Sequence, residues 1–441
     1  MNLDDLRTLL LDLSCMTALR HVLDNPAISA LVNLCCACVD DRSDEEKLTL
    51  AYCTAYNAWL EAVSRGRGGF ARQALDEILF CETPVARLCS GREKIPYSVL
   101  SAMGHDLETL GKLTGIEPAM FLLLCERAGM PGQHAVRLPV WEPMLGEETP
   151  DPRTHLSMLS RNGTDEVIRF FATQGTGLFA RYPAATYVGV SADAPQGLRG
   201  VERPDPIRLS ELVRYERQRG VLEENTRRLL AGQHAGNVLL YGDKGTGKSA
   251  TVKALLQQYW SEGLRIVEVQ PQHLTHLQEL FSLLRSQPCR FIVFVDDLAF
   301  NDSCPEYTAL KTVLEGGLEA RPENVVVYAT SNRRNIVRQR FSEREDDVNT
   351  RDTLEEKFSL ADRFDIRLTF TEPDMETYFA IARDILAMRG LEAPDNFDER
   401  ARTFSMTHSG RSPRVARQFV DALEVELRSS AAEAASGDEA P

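Results

Sequence analysis

Gly242, Asp243, Lys244, Gly245, Thr246, Gly247, Lys248 and Ser249 spell G-x-x-x-x-G-K-S directly after the apolar run Asn237-Val-Leu-Leu-Tyr241. Each residue type in that pattern has a task in holding a phosphate. Glycines let backbone N–H groups turn inward as a nest, where a side chain would block the anion. Lys248 adds a point charge for the β- and γ-phosphates, and Ser249 offers a hydroxyl to Mg²⁺. The helix that opens here, with Ala250 in its first turn, aims its positive end at the same anion. A second group follows at Asp296 and Asp297, which end the run Phe291-Ile-Val-Phe-Val295. A carboxylate at the carboxyl end of such a strand sits beside the phosphate loop, so Asp296 can hold Mg²⁺ through water and Asp297 can orient an attacking water. The plainer alternative is a pair of acids that ends a strand and opens a turn. Asn332 closes a third run, Asn324-Val-Val-Val-Tyr-Ala-Thr-Ser331, where it could bond the γ-phosphate or the water, or simply favour the next turn.

The elements that must position these groups follow from the apolar pattern. Strands are expected at 237–241, 265–270, 291–297, 324–332 and 365–370. Between the second and third, Leu274, Leu277, Leu280, Phe281 and Leu284 fall on one helical face. Continuous apolar runs separated by helices require a parallel sheet covered on both sides, hence an α/β fold.

Taken together, the phosphate loop, Val295-Asp-Asp297, Thr330-Ser-Asn332, Ala361-Asp-Arg-Phe364 and Gly410-Arg-Ser-Pro-Arg414 stand in the order of an AAA+ P-loop ATPase module. They resemble Walker A, Walker B, sensor 1, arginine finger and sensor 2. Residues 215–420, about half of the chain, resemble the bacterial ATPase family known as domain of unknown function 815. The stretches that carry this are Glu216-Arg-Gln218, Asn225-Thr226, Leu240 to Ser249, Leu314-Glu-Gly-Gly-Leu-Glu319, Ala329-Thr-Ser-Asn-Arg-Arg334 and Ala416-Arg-Gln-Phe419. The resemblance implies a sheet ordered 5-1-4-3-2, a small helical lid, and ATP with Mg²⁺ shared between neighbouring subunits. Arg363 resembles the finger that reaches a neighbour's γ-phosphate; an ion pair with Asp362 or Asp365 is the competing reading. Arg414 resembles the lid sensor, against an arginine on a solvated helix start. Tyr215 and the helix 222–230 fall where such modules place an adenine-contacting segment.

Two departures bear on rate. Many AAA+ modules end Walker B in Asp-Glu, whereas Asp297 is one methylene shorter, and misplacement near one ångström costs about 10²-fold. Slow hydrolysis is therefore expected to be possible. Arg333-Arg334 and the charged loop Glu343-Arg-Glu-Asp-Asp347 are either solvated or an interaction surface.

Composition bounds the rest. At 441 residues, 43% hydrophobic and 26% charged, the chain is long enough for two or three domains of a soluble protein. No run of about 18 apolar residues signals a membrane span. The acidic start, Met1-Asn-Leu-Asp-Asp-Leu-Arg7, does not read as a secretory leader, so a cytoplasmic location is expected. The net charge of −15 argues against nonspecific binding to nucleic acid or anionic membrane. Among the ten cysteines, Cys35, Cys36 and Cys38 lack the spacing of a zinc knuckle. They, with Cys53, Cys81, Cys89 and Cys125, read as buried thiols in helices.

Residues 1–190 read as a mainly helical domain suited to partner recognition, with apolar faces Leu6-Leu9-Leu10-Leu13-Met16 and Leu48-Ala51-Ala55-Leu60, and a short β element within 182–190. Residues 191–210 read as a linker or an arm crossing the module, 211–371 as the nucleotide-binding core, 372–428 as the lid, and 429–441 as a disordered tail. Three functions are compatible with this. One is an oligomeric ring ATPase that remodels a protein partner. Another is a slow ATP-controlled binding switch, favoured by Asp297. The third is a DNA-associated loader, which the acidic balance and the lack of a basic array oppose. A kinase lacks an acceptor-site constellation.

Overall fold

The computed structural model describes residues 1–66, 68–91, 94–142, 153–298, 305–315, 321–332, 360–408 and 410–437. The chain divides into two compact units, Met1–Arg181 and Tyr182–Pro441. In the first, every regular element among the described residues is helical: α1 (Leu3–Ser14), α2 (Pro26–Val39), α3 (Glu45–Ser64), α4 (Phe70–Phe80), α5 (Pro84–Ser90), α6 (Tyr97–Thr114), α7 (Pro118–Arg127), α8 (Gly132–Ala135), α9 (Thr164–Gln174) and α10 (Gly177–Arg181), with short 3₁₀ turns between some of them. Side-chain caps start several of these helices. Asn2 and Asp5 form a reciprocal capping box on α1, and Asp44 accepts from the Lys47 N–H on α3. The buried stripe of α3 is Leu48, Tyr52, Ala55, Trp59 and Ala62, stepping by four and three as a helix requires. Leu60, read onto that face from sequence, lies off it and is 47% exposed. Trp141 centres the core, 5.2 Å from Tyr52, 5.5 Å from Phe70 and 5.6 Å from Phe121. Cys35, Cys38, Cys89 and Cys125 are buried as expected, whereas Cys36 and Cys53 are exposed because their positions on α2 and α3 turn outward. Among the described residues, no cluster of three potential metal ligands occurs.

The second unit carries a sheet of seven strands among the described residues: β1 (Ala184–Tyr187), β2 (Leu198–Gly200), β3 (Val238–Gly242), β4 (Leu264–Val269), β5 (Arg290–Val295), β6 (Val325–Ser331) and β7 (Ile366–Phe370). Their order is β2-β1-β4-β5-β6-β3-β7. Numbered from β3, the five expected strands run 5-1-4-3-2, all parallel, and β1 and β2 extend the sheet beyond β4. β1 is parallel to β4 and β2 antiparallel to β1. Hydrogen bonding thus puts residues 184–187, read from sequence with the amino-terminal domain, into the second unit's sheet, and residues 198–200 of the expected linker form its edge. A single strand with Ala, Tyr and Thr gives no local sign of which sheet will accept it.

Every residue of β6 is buried, as is all of β5 after Arg290, the burial that continuous apolar runs demand. The sheet is joined to α11 (Glu216–Leu230), α12 (Lys248–Tyr259), α13 (Leu277–Arg285) and α14 (Pro305–Glu315). Asn225, one of the residues behind the family resemblance, holds α11 down. Its amide donates to the Gly236 carbonyl at 2.9 Å and the Tyr328 hydroxyl at 3.0 Å, and its oxygen accepts from Gly236 N–H. Its buried polar atoms are therefore satisfied. After β7 come α15 (Met375–Met388), α16 (Phe397–Thr407) and α17 (Pro413–Gly437), packed around Tyr378, Ile381, Phe397 and Phe419 as a helical lid. α17 continues to Gly437, so the tail expected to be disordered from 429 is helical over most of its length.

Candidate functional site

β3 delivers the phosphate loop. Gly242, Gly245 and Gly247 have φ of 135°, 81° and 94°, which L side chains rarely adopt. A Cβ on Gly242 would overlap the Phe370 carbonyl oxygen of β7, and one on Gly245 would lie 2.7 Å from the Ser412 hydroxyl of the lid. The loop is thus pressed between sheet and lid. Thr246 donates to the Asp243 carbonyl at 2.8 Å, and α12 begins at Lys248. The Lys248 side chain is 95% removed from solvent and donates to the carbonyls of Gly242 at 3.1 Å and Asp243 at 2.7 Å. Burial lowers its pKa, and Asp243, Asp297 and Asp296 oppose that shift. The Asp243 carboxylate turns away from the loop to accept from the Glu372 N–H at 2.7 Å, where β7 leads into the lid.

Asp296 and Asp297 follow β5 and take different roles in the hydrogen-bond network. One oxygen of Asp296 accepts from the Ser249 hydroxyl at 2.6 Å and from the Thr330 hydroxyl at 2.6 Å. The same Thr330 oxygen accepts from the Asp297 N–H at 2.9 Å. Asp297 sits at φ 52°, left-handed for a residue with a side chain, and accepts from the Asn332 amide at 2.6 Å. Thr330, inside the sensor 1 stretch, therefore ties the Asp296 carboxylate and the Asp297 backbone to β6, a role the reading of Asn332 alone did not reveal.

Lys248, Ser249, Asp296, Asp297, Asn332 and Arg414 meet in one cleft of about 690 Å³. Lys244, Gly245, Thr246, Gly247 and Ala250 also line it, while Gly242 and Asp243 lie just behind as scaffold. Arg363 does not line the cleft; its guanidinium pairs with Glu315 at the end of α14, 2.6 Å away. Neither competing partner holds it, since Asp362 pairs with Arg367 at 2.5 Å and Asp365 accepts from the Asn237 N–H at 2.7 Å. The stretch Leu314 to Glu319 is described only as far as Glu315, and Arg333-Arg334 and the loop 343–347 lie outside the described residues.

The far end of the cleft is closed by the segment before α11. Ile207, Leu212 and Val213 face Ile381 and Ile385 of the lid. Arg214 and Tyr215 are both left-handed, at φ 67° and 59°. Tyr215 donates to the Thr371 carbonyl at 2.7 Å and its ring lies tilted against that of Phe370, with centroids 5.0 Å apart, and Arg219 donates to the Leu209 carbonyl at 3.1 Å and to that of Leu212. The segment expected as a linker or arm over 191–210 is thus followed by residues to 215 that also pack on the module. Arg417, named from sequence only within the family stretch Ala416-Arg-Gln-Phe419 and not as a site residue, lines the cleft one turn beyond Arg414; its i+3 spacing from Arg414 was the signal available.

The residues fit a magnesium nucleotide. A serine hydroxyl and a carboxylate 2.6 Å apart are the hard oxygen donors that Mg²⁺ takes. A glycine cradle with a buried ammonium at a helix start is built for phosphate. The apolar slot suits a planar base.

A family model described as "Protein of unknown function (DUF815)" matches residues 181–427. No curated protein matches. Among solved structures, the Thermotoga maritima RuvB Holliday junction branch migration motor is 16% identical with a TM-score of 0.36, over 51% of this chain and 66% of that one. Two single-residue variants of that motor match at 17% identity and a TM-score of 0.36, each over 51% of this chain and 66% or 67% of theirs. The chain thus spans about two thirds of the length of these structures.

Proposed function

The chain belongs to the DUF815 family, and from that premise, with an AAA+ P-loop module in hand, we propose that it is a Mg²⁺-dependent ATPase working as an oligomer on a protein partner. The observation that carries this is the linked pair of carboxylates: Asp296 bonded to Ser249 and Asp297 bonded to Asn332, beside the buried Lys248. Ser249 and Asp296 would hold Mg²⁺, whose charge would offset that of the phosphates. Lys248 and the loop N–H groups bind and orient the phosphates. Asp297, held by Asn332, accepts a proton from a water aligned on the γ-phosphate. Arg363, outside the cleft, is suited to serve a neighbouring subunit's site, where a guanidinium stabilises developing charge. The helical unit 1–181 is the candidate partner-binding domain. Among the described residues, no helix is long and apolar enough to cross a membrane.

The test is the hydrolysis rate per chain over a wide range of protein concentration. A rate that climbs and saturates supports a site completed by a neighbour. A flat or undetectable rate with ATP still bound favours the second reading, a nucleotide-controlled switch, for which the short Asp297 is the specific observation. A chain that binds no ATP removes both. A DNA-loading role has the resemblance of the Ala361-Asp-Arg-Phe364 box to that branch behind it and is opposed by the −15 net charge.

A further inference from the structure

Two cysteines far apart in sequence meet in the core of the helical unit. Cys38 lies in the last turn of α2 and Cys125 in the last turn of α7. Their sulfurs are 3.7 Å apart, although 87 positions separate the residues. Both side chains are buried, at 2% and 0% exposure. Cys125 follows Phe121 by one helical turn, so it shares the face of α7 that packs on Trp141, 5.6 Å from the Phe121 ring. Other cysteines of the unit are placed differently. Cys89 meets a thioether, Met103 Sδ at 3.8 Å, which forms no disulfide, and Cys15, Cys36 and Cys53 are exposed.

Packing as small hydrophobes accounts for the burial of the pair but not for the polarity of its contact. The hydrogen bond to Cys125, with burial, holds the Cys38 thiol well above its usual range. The same bond draws the Cys125 thiol down, against its own burial. Cys125 is therefore the sulfur closer to thiolate, the reactive form, and Cys38 is a resolving thiol already in contact with it. Bonded sulfurs are about 2 Å apart, so the two must close by about 1.7 Å. A change of χ1 well carries one sulfur through about 3 Å, so side-chain rotation covers that distance.

We propose that Cys38 and Cys125 form a modification site, a thiol pair that a hydroperoxide converts into a reversible disulfide pinning α2 to α7. The Cys125 thiolate attacks one peroxide oxygen: an S–O bond forms, the O–O bond breaks, and the departing oxygen takes the proton released by the Cys125 thiol. The Cys38 sulfur then attacks the Cys125 sulfur. An S–S bond forms, the S–O bond breaks, and hydroxide leaves with the Cys38 proton as water. Two thiols are oxidised and one peroxide is reduced, to two waters when it is hydrogen peroxide. Because both sulfurs are buried, the rate is set by local opening at the ends of α2 and α7, and a small oxidant is favoured. The inference stands on the helical unit and does not depend on the nucleotide reading.

The experiment treats the native full chain with hydrogen peroxide, alkylates the remaining thiols in denaturant, and maps peptides with and without reductant. The expected result is an intramolecular link between the peptides of Cys38 and Cys125, lighter by two hydrogens and reversed by dithiothreitol. The link closes a long loop, so oxidation should raise the thermal midpoint of the helical unit by about 5–10 °C. Cys38→Ala should lose both the link and the shift, whereas Cys35→Ala, altered one turn earlier on α2, should keep them. Both thiols remaining free after Cys15, Cys36 and Cys53 have reacted overturns the proposal. So does a link that forms only in denaturant, or one that joins Cys125 to Cys35. A link that leaves the midpoint unchanged or lowers it overturns the pinning of the two helices.

Discussion

At the residue scale, the cleft is organised by a few shared atoms. One oxygen of Asp296 receives two hydroxyls, from Ser249 and Thr330, so this carboxylate is oriented from both the phosphate loop and β6. Asp297 is bound through its backbone to Thr330 and through its side chain to Asn332, which fixes a left-handed residue that would otherwise cost about 1–3 kcal/mol. Lys248→Ala should abolish ATP binding with little change in thermal midpoint, read by a fluorescent nucleotide titration. Asp297→Asn should cut turnover about 10²-fold or more while ATP still binds, as loss of a general base does. Asp297→Glu should preserve or raise the rate if this carboxylate positions water. A dead Asp297→Glu that binds ATP normally would mean that the geometry around Asn332 and Thr330 is shaped for the shorter acid.

At the element scale, β3 and α12 set the phosphate loop, while β5 and β6, paired in parallel beside each other, bring Asp296 and Thr330 together. Gly242 is demanded by β7: at φ 135°, with the Phe370 carbonyl against it, no side chain fits. α14 enters through its last described residue, Glu315, which holds Arg363 at 2.6 Å. Both side chains are more than a third exposed, so this ion pair contributes little to stability and can be exchanged for another partner. Arg363→Ala should therefore leave folding and ATP binding intact and lower the per-chain turnover about 10³-fold. Normal turnover in that variant, measured at a concentration where the wild-type rate has saturated, would remove Arg363 from the proposed mechanism.

At the scale of the whole molecule, the division after Arg181 separates a helical unit with its own aromatic core from a unit that holds every residue of the cleft. A fragment covering 182–441 should bind Mg·ATP with an affinity within about threefold of the full chain's; complete loss in a fragment that circular dichroism shows to be folded would mean that the helical unit contributes to the site. The phosphate loop, the paired acids and the five core strands were legible in the sequence because each is written locally, as a motif with a fixed spacing or as an apolar run whose length and flanks give its type, whereas the strand order and the lid came from the family resemblance. Other features depended on non-local contacts. The joining of β1 and β2 to the β4 edge, the role of Thr330, the pairing of Arg363 with Glu315 rather than its adjacent acids, and the position of Arg417 in the cleft all join residues tens to more than a hundred positions apart or depend on what a helix end faces. Sequence spacing encodes which face of an element a residue occupies; only tertiary packing decides what that face meets, because burial and hydrogen bonding are set by neighbours brought in from elsewhere in the chain.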